Sequence, residues 1–300
     1  MPVSAQMGPL RWANQLTQLL DLTKGLDRYP VDVEQLAREY SRATAADDSI
    51  RDIVSRPLKG FEGALVPLRP DPGGWLIVSN ASATPGRRRF TVAHEFAHWI
   101  LHRHLLPPEG IYCNEDDVGR RNGKNIEKEA DTFAAALLMP LHDLRRQIDP
   151  KAKPTLADLG ALADRYGVSL TAATLRWLEV TERRSLMVVS TEGYALWARS
   201  SDPAFRSGRF IRTSGSPHEI PAAAGALRPD LPGECRAGIA HPPGIWFDEE
   251  VEELTVHATS YEKVITVLHL GDAPSLWQTA GEEQELNIAD EVGSRPGSSG

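Results

Sequence analysis

The chain has 300 residues, 41% of them apolar and 25% charged, a composition typical of a globular protein of about two domains. Its two cysteines, Cys113 and Cys235, exclude a disulfide scaffold and a four-cysteine zinc module, and its longest charge-free apolar run, residues 132–141, spans ten residues where a membrane helix needs ~20. Half of the net charge of −8 lies in the acidic, Gly- and Ser-rich end (279–300), which reads as a disordered tail, and the remainder carries no basic stripe for general nucleic-acid binding.

The amino terminus has no basic start followed by an apolar core, so no secretory signal is expected and the expected compartment is the cytoplasm. Residues 10–60 read as helical pieces. After Pro30, the run VDVEQLAREYSRA sets Val33, Leu36, Ala37 and Tyr40 on one helix side. FEGALVPL and WLIVSN, separated by RPDPGG, read as a hairpin. Trp75 to Asn80 is either an edge strand that an extended peptide could join or an interior strand. Helical period returns from Arg88 to about Arg103 and stops at Pro107-Pro108, and residues 105–123 read as a surface loop. Residues 125–147, NIEKEADTFAAALLMPLHDLRRQ, have an acidic start, an apolar middle and a basic end suited to a helix dipole. That helix is expected to be buried, and bent or split at Pro140. Two further helices over 155–184 break near Gly167. After Arg184 the pattern turns to strands: SLMVVS-TEG-YALWARS as a hairpin, then GRFIRT, RAGIAHPPGIWF, ELTVHATS and KVITVLHL. The expected class is α+β.

The strongest chemical signal is His94-Glu95-Phe96-Ala97-His98. Side chains four apart share a helix face, so both imidazoles can reach one zinc ion, for which nitrogen is a favoured ligand. Glu95, one step around the helix, can take a proton from an activated water and deliver it to a leaving amine. At this histidine content chance would place an HExxH about 0.02 times, and the motif sits on a helix with apolar period (Phe90, Ala93, Ala97, Leu101). Three residues compete as third ligand. His104 has the spacing of HExxHxxGxxH, but Leu101 stands where a glycine would reverse the chain. Glu127 and Glu129 both open the later buried helix. Glu127 is preferred, because Asp131 lies one turn onward on the same face and can accept the other ring N–H of a ligand histidine, fixing its tautomer.

RRFTVAHEFAHWILH followed by EKEADTFAAALLMP, within residues 87–140, resembles the ImmA/IrrE family of zinc metallopeptidases. The resemblance implies His94, His98 and Glu127 as zinc ligands, Glu95 as catalytic acid/base, and a helix-turn-helix transcriptional repressor as the protein cut or disabled. It also implies a gluzincin-like peptidase domain, a helix-turn-helix-like connector and, as in the longer radiation-response members, a C-terminal mixed α/β region that looks GAF-like. Zinc is the expected cofactor, with manganese as a substitute in vitro.

The connector, LADLGALADRYGVSLTAATLRWLEVTERR, has the glycine-valine-serine turn between two helices. The start of its second helix, residues 170–174, lacks the Arg, Asn or Gln forks that read bases, and charges over 155–184 cancel. It is therefore expected to pack, or to touch the repressor, rather than bind DNA. His102 is expected to be solvated or to support the ligands, and Tyr112, His142 and Arg145 are candidate oxyanion donors. Cys113 is expected to be a plain thiol, and the C-terminal aromatics to be core. The expected domains are a zinc peptidase over 1–150, a helix-turn-helix-like segment over 151–184, a β-containing domain over 185–278 and the tail over 279–300. Two rival functions are a DNA-binding regulator with structural zinc and an anti-repressor or sensor acting by binding alone.

Overall fold

A computed structural model describes residues 7–68, 73–106, 111–113, 123–230, 232–258 and 262–274. The tail 279–300 and the side chains of Tyr112 and Cys113 lie outside the described residues. The fold is mixed α+β in two compact units, 1–147 with 160–173, and 148–159 with 174–300. The expected connector 151–184 is thus divided between the units.

In the first unit, α1 (Pro9–Lys24) and α2 (Val33–Thr44) precede a four-stranded sheet of order β1-β3-β2-β4. The strands are β1 (Ile50–Arg56), β2 (Gly63–Pro67), β3 (Trp75–Asn80) and β4 (Ile111–Cys113). Residues 50–56, within the stretch 10–60 that reads as helical pieces, form a strand instead. The buried Ile50 and Ile53 are three apart, a helical spacing, but a register irregularity between Ile50 and Asp52 turns both inward from a strand parallel to β3. The β2–β3 pair is the expected antiparallel hairpin. β3 is interior, flanked by β1 and β2, so it offers no edge to a substrate. The expected loop 105–123 contributes β4, antiparallel to β2.

Helix α3 (Pro85–Ala97) starts at Thr84, whose hydroxyl accepts from Arg87 N, with proline in its first turn. It continues as a π-helical turn over His98–His102 and a 3-10 turn over Arg103–Leu105. Asp48 secures this continuation: its backbone carbonyl accepts from Trp99 Nε1 at 2.9 Å, and its carboxylate from Trp75 Nε1 at 2.7 Å and Arg103 Nε at 2.9 Å. The 125–147 segment splits at Pro140 into α4 (Gly123–Leu138) and α5 (Leu141–Gln147). Phe133 on α4 is fully buried, edge-on to Phe96 of α3 at 5.9 Å, and this contact fixes α4 against α3.

Helices α6 (Leu156–Tyr166) and α7 (Leu170–Leu178) break at Gly167, φ +59°, as the sequence pattern indicated. The turn is packed rather than presented. Arg89 of α3 donates to the Gly167 carbonyl, and a Cβ added at Gly86 would lie 3.2 Å from that oxygen.

The second unit holds an antiparallel sheet, β7-β6-β5-β10-β9-β8. Its hairpin is β5 (Ser185–Thr191) and β6 (Tyr194–Ser200), turned by Glu192 and Gly193 at φ 49° and 82°. Helix α8 (Asp202–Arg206), β7 (His218–Glu219), α9 (Pro232–Ala237), β8 (Ile239–His241), β9 (Val251–Ala258) and β10 (Lys263–Leu270) follow. Leu186, Val188, Ala204, Ile220, Trp246 and Leu268 form its core. GRFIRT is not a strand: Phe210 stays exposed against exposed Phe205, while Arg209 turns to Asp248. The expectation that these aromatics are core therefore holds for Trp246 and fails for Phe205 and Phe210. The strand expected from RAGIAHPPGIWF shrinks to β8, because Pro242 and Pro243 cannot donate to a ladder. No helix among the described residues is long and apolar enough to cross a membrane.

Candidate metal centre

Helix α3 turns its inner face toward the first turns of α4. From Thr91 to Ala97 every residue of α3 is buried, His94 and Glu95 included. The apolar stripe of α4 (Ala130, Phe133, Ala134, Leu137) packs against it, and Glu127 and Asp131, one turn apart on α4, meet the His94 imidazole.

The resulting cluster is tight. His94 Nε2 lies 3.1 Å from Glu127 Oε2 and 3.0 Å from His98 Nε2, and His98 Nε2 lies 3.4 Å from Glu127 Oε1. Among the described residues this is the one group of three whose ligand atoms, all within 4.8 Å of one another, could hold a metal ion. Ligands about 2.0–2.1 Å from a tetrahedral zinc stand about 3.3–3.4 Å apart. Two imidazole nitrogens and one carboxylate oxygen at this spacing fit such an ion in both donor type and distance.

Charge favours a cation in the same place. Burial disfavours a proton on His94, yet hydrogen bonds to Asp131 and Glu127 outweigh it and hold its pKa up at about 10. Burial dominates at His98 and lowers it to about 4. At Glu127 burial acts upward, but the two imidazoles prevail and hold its carboxyl far below the usual range. Positive charge is therefore favoured at His94 and disfavoured at His98, and a metal ion held by these donors would supply it in place of that proton.

Asp131 is exposed, with Oδ1 3.0 Å from His94 Nδ1. Glu95 is fully buried, its carboxylate set against Gly63 of β2, where an added Cβ would fall 2.7 Å from Oε1. The other contenders lie elsewhere. His104 is exposed on the 3-10 turn and outside the cluster. Glu129 turns to His102, Oε2 to Nε2 3.1 Å. His142 pairs with Asp21 of α1 at 3.0 Å. His241 serves buried Glu253 at 2.8 Å, and His269 bonds Ser185 and the Pro154 carbonyl, both at 3.0 Å. Gly63 was not legible in the sequence, because nothing local marks a strand glycine as facing a helix carboxylate. The His98–His102 spacing did carry a signal, but the role of Glu129 as its partner did not.

The sequence pattern of the IrrE N-terminal-like domain matches residues 46–178. The chain is 28% identical over 206 residues to the radiation response metalloprotease IrrE of Deinococcus radiodurans, across 66% of this chain and 60% of that protein. It is 35% identical over 154 residues to the protein of the same name in Deinococcus deserti, across 48% of this chain and 53% of the relative. The match thus spans less than two thirds of either relative. Among solved structures, a Mycobacterium tuberculosis transcriptional regulator shares the fold over 87% of this chain and 76% of its own, with a TM-score of 0.51 and 12% identity.

Proposed function

We propose, from the match of residues 46–178 to the IrrE N-terminal-like domain and the likeness to two IrrE metalloproteases, that the chain is a zinc-dependent metallo-endopeptidase of the ImmA/IrrE family acting on a helix-turn-helix transcriptional repressor, so that silenced genes are expressed. The observation that carries this reading is the meeting of His94, His98 and Glu127 at zinc-ligand spacing beside buried Glu95. Zinc held there supplies Lewis acidity toward a peptide carbonyl and a water molecule. The chain's own groups do the rest. Glu95, as carboxylate, takes the proton of the attacking water and returns it to the nitrogen of the departing amine. Asp131 accepts the Nδ1–H of His94 and so keeps the Nε2 lone pair directed into the cluster. Glu127 enters as an anion, which balances the cation's charge. The α6–α7 pair is read as a packing element or a contact for the repressor, since its turn is tied down by Arg89. The second unit is read as the counterpart of the GAF-like region of longer members.

The test is to incubate the full chain and zinc with candidate helix-turn-helix repressors of the same organism and to weigh the products. The wild type is expected to yield two fragments. Glu95→Gln is expected to keep one zinc per chain and to cleave at least ~10²-fold more slowly. Cleavage at the wild-type rate would remove Glu95 from its role. Undiminished relief of repression without fragments would instead assign the chain to partners that act by binding alone.

A further inference from the structure

His102 is 3% exposed at the end of the π-helical turn, a costly place for an imidazole unless both nitrogens are engaged. Both are. Its Nδ1 lies 3.0 Å from His98 Nδ1 and its Nε2 lies 3.1 Å from Glu129 Oε2, while Glu129 Oε1 accepts from Asn125 Nδ2 at 3.2 Å. We infer that His102 and Glu129 form a positioning pair that fixes the tautomer and orientation of His98. The inference rests on the reading of His98 as a ligand.

The proton order follows from hydrogen-bond chemistry. His98 presents Nε2 to the cluster, so the ring proton sits on Nδ1 and donates to His102 Nδ1. His102 then carries its proton on Nε2 and donates to Glu129. Reversing any member would set two donors or two acceptors face to face, so the carboxylate at one end dictates the lone pair at the other. The two histidines are therefore held from opposite sides, His94 by Asp131 in one step and His98 by Glu129 through a second ring. Partners of this kind typically change metal affinity 10–100-fold when removed.

The experiment measures zinc affinity of the full chain by chelator competition, together with the visible spectrum of the cobalt(II) form. The wild type is expected to bind one equivalent. His102→Leu, which keeps bulk but removes the acceptor, is expected to lose roughly 10–100-fold in affinity and to shift the cobalt bands. His102→Asn, whose amide oxygen can stand where Nδ1 stands, is expected to recover most of that loss. Glu129→Ala, at a half-exposed position, is expected to weaken binding about tenfold, the lower end of the same range. A Leu variant with wild-type affinity and spectrum, an Asn variant as weak as the Leu one, or unchanged affinity in Glu129→Ala would overturn the positioning role. A wild-type chain that takes up no zinc would sink the ligand set itself, a failure distinct from that of His102 alone.

Discussion

Glu95 needs space as much as it needs neighbours. Its carboxylate occupies room that exists only because residue 63 has no side chain. A methyl there would lie 2.3 Å from Thr91 Cγ2 and 2.7 Å from Glu95 Oε1, distances at which something must move. Gly63→Ala is therefore expected to displace Glu95 while leaving His94, His98 and Glu127 in place. A misplacement of about 1 Å can cost ~10²-fold in rate. Peptidase assays alongside zinc stoichiometry check this: turnover should fall with one zinc still bound. Normal turnover would mean that Thr91 alone absorbs the clash.

At the scale of elements, the centre exists because α4 docks on α3. The ligands sit 29 residues apart in sequence (His98 to Glu127), and no local interaction joins them. The aromatic contact between Phe133 and Phe96, with Ala130, Ala134 and Leu137 around it, sets the distance. Phe133→Ala is expected to destabilise the chain by about 3–5 kcal/mol. Because the same cavity loosens Glu127, zinc affinity should fall along with the denaturation midpoint. Urea unfolding and zinc titration of one variant test both parts, and a stable variant with intact affinity would show that α4 is held by other contacts.

At the scale of the molecule, one buried carboxylate couples folding of the first unit to pH. Asp143 of α5 is fully buried and accepts from Arg165 Nε and Nη2 at 2.8 and 2.9 Å, Tyr166 Oη at 2.8 Å and Arg146 Nη2 at 2.7 Å. Burial works to raise its pKa, but these donors outweigh it and lower it to about 2. A depressed carboxylate contributes stability that is fully present above its unfolded pKa and is lost as pH falls through the folded one. Its contribution should therefore be complete above about pH 5 and fade between about pH 4 and pH 2. Asp143→Asn is expected to cost about 3 kcal/mol at pH 7, and to differ less and less from the wild type across that acid window. Parallel stability curves for the two proteins at all pH values would remove Asp143 from this role.

What the sequence determined by itself is whatever depends on near neighbours. HExxH on a helix, the stripe that pairs Glu127 with Asp131, the split at Pro140, the break at Gly167 and the β2–β3 hairpin follow from helix and strand periods and from proline and glycine stereochemistry. Only the tertiary structure decided the rest. It placed β1 where a bulge disguised its period, made β3 interior, left Phe205 and Phe210 in solvent, aimed Glu129 at His102 and set Gly63 beneath Glu95. Each of these is fixed by which surfaces press together, and that contact between residues distant in the chain leaves no periodic trace in the sequence.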